Sequence, residues 1–314
     1  MAALGAARRG LVAVLLVATA IKARGVPSEG SIVFTDSLSK RLLRLDADGT
    51  SHVLTHDLAT YGGLIPWKGA MLAATTSHKV VQIDPWGRTV NSSCGSNCLV
   101  DVPRAIGVEK VVDNFALGGI TLCGDDTLFI VFGGNATTGH SGVLRCEGCQ
   151  PGTDCTSKCA VVDGGHSPGK GMRQLGGYAA GVECVGDKVL VVDNTNFRVQ
   201  AIPASCLRSP CNVSTFASKL NYPLGIAKVH DTILVSLDAA ITSLSLDGSQ
   251  QHAWSEQGDC GYLTPVADRV LVADGNIVAF DSRCRGPACK PSVVWNATSG
   301  IKVYGAVAHV AQAR

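Results

Sequence analysis

The chain has 314 residues, 46% of them hydrophobic and 17% charged, with a net charge of +2. A chain of this size and make-up can bury a large core. Its near-neutral balance, with no long run of either sign, argues against nucleic acid or an anionic membrane surface as the main partner.

The first segment reads MAALGAARRGLVAVLLVATAIKARG. Arg8 and Arg9 precede an apolar run from Leu11 to Ile21, and Ala18 and Ala20 form a small-x-small cleavage site. This is the pattern of a secretory signal peptide over residues 1–25. The run is too short to span a bilayer. The remaining residues, 26–314, are expected to form one domain and to leave the membrane once the leader is removed.

From about residue 30 the chain repeats itself. The block SIVFTDSLSKRLLRLDADG (31–49) opens the series. Five segments then share a Gly-containing apolar start, a short turn and a Val/Leu/Ile run: YGGLIPWKGAMLAAT (61–75), LGGITLCGDDTLFIVF (117–132), AAGVECVGDKVLVVD (179–193), YPLGIAKVHDTILVSLD (222–238) and YLTPVADRVLVAD (262–274). The C-terminal YGAVAHV (304–310) supplies the first half of the pattern with nothing after it, and the 31–49 block supplies the second half without the first. Ends that complement each other in this way close a ring. Short apolar runs bounded by Gly, Asp and Asn, with no helical periodicity, read as strands. The expected fold is all-β: a six-bladed propeller whose C-terminal strand completes the first blade.

Within the blades, Asp-Gly hairpin turns stand at DADG (46–49) and LDGS (246–249). In the fourth and sixth repeats a Cys-bracketed loop takes that place, PASCLRSPC (203–211) and DSRCRGPAC (281–289). A cross-strand disulfide that clamps the outer hairpin is expected in each. The third repeat carries the longer excursion CEGCQPGTDCTSKC (146–159), followed by the Gly-rich GGHSPGKGMRQLGG (164–177), which reads as a surface loop rather than a phosphate loop.

The thirteen cysteines fall mostly into close pairs: Cys94/Cys98, Cys146/Cys149, Cys155/Cys159, Cys206/Cys211 and Cys284/Cys289. Four N-glycosylation sequons stand at Asn91, Asn135, Asn212 and Asn296. A leader, paired cysteines and sequons agree on an oxidising secretory route and an extracellular or lumenal destination. The connectivity within 146–159 is open, nested pairing (Cys146–Cys159, Cys149–Cys155) being one arrangement. A four-Cys zinc site is the alternative, though the spacing is tight for a tetrahedron. Cys123 and Cys184 occupy near-equivalent positions in adjacent repeats. They either bridge inner strands, leaving Cys260 single, or pack as small hydrophobes.

Four aspartates, Asp36, Asp193, Asp238 and Asp274, end second strands in the repeat pattern. Each can accept N–H groups of the following turn. Alternatively, Asp36, Asn194, Asp238 and Asp274 face the channel mouth and help hold a divalent cation, Ca or Zn, though hard cations need several oxygens. His78 and His140 fall in the corresponding turns of neighbouring repeats. No nucleophile elbow, HExxH or P-loop motif is present.

The run DSLSKRLLRLDADG (36–49) resembles the NHL repeat: Asp, a polar turn, Arg, an aliphatic strand, then Asp-x-Asp-Gly. DNTNFRVQAI (193–202) matches its Asp-turn-Arg portion. The resemblance implies a six-bladed propeller of the kind that acts as an interaction platform. Related six-bladed propellers include gluconolactonase-type lactonases, strictosidine synthase-like enzymes and the peptidylglycine amidating lyase. The expected function is therefore a secreted binding module for a protein or glycan ligand; the alternative is a metal-dependent hydrolase or lyase using the channel mouth.

Overall fold

The computed structural model describes residues 30–36, 39–56, 58, 63–84, 98–108, 115–133, 140–166, 171, 174–249, 251–255, 261–284, 286, 289–296, 303 and 307–311. The leader, Asn91, Cys94, Asn135 and Cys260 lie outside them, as does the side chain of Asp274.

Six antiparallel sheets of four strands each form the six blades. Counted outward from the channel, blade 1 is Val307–Ala311, Gly30–Asp36, Arg41–Leu45 and Ser51–Thr55. Blade 2 is Leu64–Trp67, Ala70–Ala74, Lys79–Ile83 and Cys98–Asp101. Blade 3 is Ala116–Cys123, Thr127–Gly133, Ser141–Glu147 and Cys159–His166. Blade 4 is Ala179–Val185, Lys188–Asp193, Arg198–Pro203 and Ser214–Ser218. Blade 5 is Ile226–Val229, Thr232–Ser236, Ile241–Ser245 and Gln251–Ser255. Blade 6 is Leu263–Val266, Arg269–Asp274, Asn276–Asp281 and Ser292–Trp295.

The C-terminal strand is the innermost strand of blade 1. Its register pairs Gly30 with Ala311, Ile32 with His309 and Phe34 with Val307. The innermost strands touch in succession around the ring, that of blade 1 meeting those of blades 2 and 6. The glycine that recurs along the inner strands of blades 2 to 5 (Gly63, Gly119, Gly181 and Gly225) has a steric cause. A Cβ on Gly63 would fall 2.3 Å from the Ile120 nitrogen of blade 3, and one on Gly225 would fall 2.6 Å from the Gly261 carbonyl. Neighbouring inner backbones come this close because the ring narrows toward its axis, so a side chain cannot be accommodated at these four positions.

The apolar core lies between blades. Six clusters of buried side chains each join two neighbours: Val33, Leu42, Met71 and Ile83 between blades 1 and 2, for example, and Ile32, Phe34, Leu271 and Ile277 between blades 6 and 1. The Phe34 and Trp295 rings meet at 4.9 Å across the closing joint.

Strand alternation assigns the connections to two faces. Turns between second and third strands, and the links from one blade to the next, lie on what we call the upper face. Turns between first and second strands, and connections from third to fourth strands, lie on the lower face. The cysteine loops all belong to the lower face. Disulfides join Cys123 to Cys184, Cys146 to Cys159, Cys149 to Cys155, Cys206 to Cys211 and Cys284 to Cys289. Cys98 is also disulfide-bonded.

The hairpin-clamp expectation needs correction. Cys206–Cys211 and Cys284–Cys289 lie within the third-to-fourth connections, outside the strand ladder. Only Cys146–Cys159, among the described bridges, links paired residues of a third and a fourth strand. The bracketed loops pack instead on the preceding blade. The Ser209 N–H donates to the Val161 carbonyl of blade 3 at 2.8 Å, and Cys211 is buried among blade 3 and blade 4 side chains. In blade 3, the Cys155 N–H donates to the Leu99 carbonyl of blade 2 at 2.7 Å, and the Asp101 N–H donates to Thr156 Oγ1 at 2.9 Å. Cys289 joins the cluster between blades 5 and 6, where Ser255 Oγ donates to its carbonyl at 3.4 Å. These loops are latches between blades.

Candidate functional site: the upper face and the central channel

The upper face is set by the turns between second and third strands. In blades 1, 2 and 4 the residue before the third strand has a positive φ: Lys40 at 51°, His78 at 64° and Phe197 at 55°. The residue ending the second strand serves the turn. Asp36 is fully buried and accepts from Arg41 Nη2 at 2.7 Å and from the Ser39 N–H at 3.3 Å. Asp193, equally buried, accepts from Arg198 Nε at 2.9 Å, Asn196 Nδ2 at 2.8 Å and the Gly176 N–H at 2.9 Å. Arg198 also donates to the carbonyls of Gly171 and Gln174, so part of the Gly-rich 164–177 segment is fastened to the blade 4 turn. The Asp-turn-Arg pattern of the sequence is thus an ion pair across the base of a turn.

Asp238 does not occupy the corresponding place. The register pairs Ser236 with Ile241, as Asp36 pairs with Arg41 and Asp193 with Arg198. Ser236 Oγ accepts from the Gly225 N–H at 2.7 Å and donates to the Gly261 carbonyl at 2.8 Å. Asp238 sits two residues further on, exposed, its own N–H donating to the Asn221 carbonyl. The Asn194 amide donates to the Pro223 carbonyl at 2.8 Å. His78 donates from Nε2 to the Phe115 carbonyl at 2.8 Å, and burial holds its pKa below the usual value. His140 stands just before the third strand of blade 3, the position His78 holds in blade 2. Among the described residues, no three His, Cys, Asp or Glu side chains are grouped to hold a metal. Asn212 and Asn296 are exposed beside the outermost strands of blades 4 and 6.

Two features were missed from sequence. The first is a set of exposed aromatic rings on the upper face at blade 4. Phe197 is 40% exposed and Tyr222 54% exposed, their rings meeting edge to face at 5.0 Å. Tyr178 is 41% exposed, and its N–H donates to Thr195 Oγ1 in the same turn. The other large exposed hydrophobics among the described residues, Val53, Leu207, Leu246 and Val293, are aliphatic and scattered over four blades. A signal was present: Phe197 fills the turn slot that holds Lys40 and His78 elsewhere.

The second is the chemistry of the channel wall, which encloses a cavity of about 410 Å³ lined by inner strands. Counting back from the end of each inner strand aligns its walls. One belt is Leu64, Ile120, Val182, Ile226 and Leu263; the next, toward the lower face, is Ile65, Thr121, Glu183 and Thr264. Tyr262 takes the slot that is Gly63, Gly119, Gly181 and Gly225 in other blades. Glu183 accepts from the Lys228 N–H. It retains contact with the channel's solvent-sized space, yet desolvation inside the ring pushes its pKa up to about 7, despite the Lys228 N–H and ammonium.

No protein-family model matches this chain, and no curated protein matches it in sequence. Solved structures do match its fold. One is a chain of the nidogen/laminin complex, 10% identical, at a TM-score of 0.62, covering 89% of this chain and 98% of that one. A protein of unknown function from Bacteroides caccae is 12% identical at a TM-score of 0.58, covering 90% of this chain and 99% of its own. A putative gluconolactonase is 15% identical at 0.54, covering 83% and 88%. At these identities the likeness is one of fold, and a shared propeller fold hosts unrelated functions.

Proposed function

We propose that this chain is a secreted propeller of the NHL type that binds a macromolecular ligand, protein or glycan, on the upper face at blade 4. The observation that carries this reading is the grouping of Tyr178, Phe197 and Tyr222. Aromatic side chains supply large contact area and are enriched at the centres of interfaces. The carboxylates at the corresponding turns of blades 1 and 4 are engaged by Arg41 and Arg198, so they act in the scaffold beneath that face. The nidogen/laminin chain, from a protein–protein complex by its description, supports a binding role by analogy of fold. Paired cysteines and the leader support export.

The test is binding of the glycosylated chain to arrays of secreted proteins and of glycans, alongside the double variant Phe197→Ser, Tyr222→Ser. A ligand captured by the native chain and lost by the variant, at unchanged melting temperature, is the expected result. Equal capture by both overturns the reading. The competing reading is a hydrolase or lyase with a divalent ion, Ca or Zn, held near Asp36, Asn194, Asp238 and Asp274. A lactonase and esterase screen with Ca, Zn and Mn tests it: metal-dependent turnover abolished by Asn194→Ala or Asp238→Ala would replace the binding reading.

A further inference from the structure

The channel presents a different chemistry from the aromatic face. Its upper belt of Leu64, Ile120, Val182, Ile226 and Leu263 is wholly aliphatic. The belt below it carries one carboxyl, Glu183, and two hydroxyl residues, Thr121 and Thr264. Of the described lining residues, Glu183 alone is an acid or base that ionises near neutral pH. The Lys228 backbone N–H meets its carboxyl, while the Lys228 side chain is exposed and not part of the wall. Tyr262 lines the same cavity, and its hydroxyl is buried without a hydrogen-bond partner among the described residues. Isolated charge in an apolar enclosure is costly unless it is paired. A cavity of about 410 Å³ falls within the size range of small-molecule sites.

We propose that the channel binds a compact organic cation, an alkylammonium with an apolar body, whose charged group pairs with Glu183 while its body fills the aliphatic belt. An anion would face the carboxylate. Calcium takes six to eight oxygen ligands, whereas the described side chains of this belt offer one carboxyl and two hydroxyls. A neutral ligand would leave Glu183 unpaired. Desolvation raises the Glu183 pKa by more than the Lys228 N–H and ammonium lower it, so the carboxylate lacks a sufficient counter-charge among the described residues. The proposal does not rest on the aromatic face and survives its failure.

The test uses the full secreted chain and two probes of matched shape, cyclohexylmethylammonium and the neutral cyclohexylmethanol, titrated calorimetrically at pH 8. We expect one ammonium per chain, bound about tenfold or more tighter than the alcohol, a difference of about 1.4 kcal/mol. In Glu183→Gln that preference disappears while alcohol binding is kept. In Thr121→Val, which alters the same belt but leaves the charge, the preference persists. Equal affinity of the two probes for the native chain, an ammonium preference that survives Glu183→Gln, or no saturable binding of either probe would each overturn the proposal. Should Glu183→Gln fail to fold, loss of the preference on titrating the native chain to pH 5 replaces it as the readout, and a preference unchanged at pH 5 overturns the proposal.

Discussion

The two joints of blade 4 are sealed in different ways. Toward blade 3, the inner strands are bridged by Cys123–Cys184. On the lower face of that joint, the loop closed by Cys206–Cys211 brings Cys211 and Val213 into a cluster with Phe129, Val131 and Val143. Toward blade 5, the cluster contains Phe216, Leu220, Ile226 and Val235, with no sulfur among its described members. Its lower face is sealed by the tight turn of blade 5. Gly248, at φ 77°, lies so close to blade 4 that a Cβ would fall 2.2 Å from the Phe216 carbonyl. A short turn seals by backbone shape and requires glycine. A ten-residue connection has no such shape of its own, so it is closed on itself and carries its own apolar groups to the joint. At blade 4, loop length thus decides which joint depends on a glycine and which on a disulfide.

The joint between blades 6 and 1 has neither device among its described residues; it is closed by the terminal strand and by apolar packing. Removing residues 307–314 should therefore have the largest effect. It strips Gly30–Asp36 of its inner partner and opens the ring. The expected loss exceeds the roughly 5–15 kcal/mol of net stability that a folded protein possesses, so secretion and the cooperative melt should vanish. A truncated chain that is secreted and melts like the full one would show that the terminal strand does not close the ring.

At blade 4 the two devices can be set against each other. Gly248→Val imposes both a positive φ on a branched side chain and a clash with Phe216, for a cost of about 3–5 kcal/mol. Paired Cys206→Ser and Cys211→Ser release a loop closed by residues only five apart, worth about 2 kcal/mol in the chain-entropy view. Denaturant melts of the two variants should rank in that order. Hydrogen exchange should locate the first loss at the blade 4–5 joint and the second at the blade 3–4 joint. The reverse ranking would mean that the turn relaxes freely and that the glycine contact does not seal the joint.

The ring, its closure and the Asp-turn-Arg pattern were legible in the sequence because they recur, though that the Arg pairs with the Asp came only from the structure. A repeated glycine reports close backbones, and a repeated Asp five residues before Arg reports one turn geometry. What recurs imperfectly was misread. Asp238 looked like a member of the aspartate set, yet the blade 5 turn, closed by the Leu237 N–H on the Ala240 carbonyl, ends the strand at Ser236. The latch role of the cysteine loops was invisible because the partner lies in the preceding blade, dozens of residues away. Glu183 gave no motif at all. A single polar residue in an alternating strand looks solvent-facing until the ring encloses it.

Glu183 also supplies the smallest expected effect, and it bears on the joint between blades 4 and 5. Its carboxyl belongs to blade 4 and accepts from Lys228 of blade 5, so its protonation touches that joint. In the folded chain its pKa is pushed up to about 7 from an ordinary 4.5, chiefly by desolvation. The folded state therefore binds the proton more tightly than the unfolded state. Its stabilising contribution is fully present below pH 4.5, declines as pH rises and is gone above about pH 7. A shift of this size corresponds to at most about 3 kcal/mol; contact with the channel's solvent reduces it to about 1–2 kcal/mol. Glu183→Gln, which is always neutral, should therefore melt higher than the native chain at pH 8 and alike at pH 4.5. The native chain should lose stability between those values while the variant does not, apart from the slope that other groups impose on both. Parallel curves would mean that the carboxyl remains hydrated within the ring and that the blade 4–5 joint is indifferent to its charge.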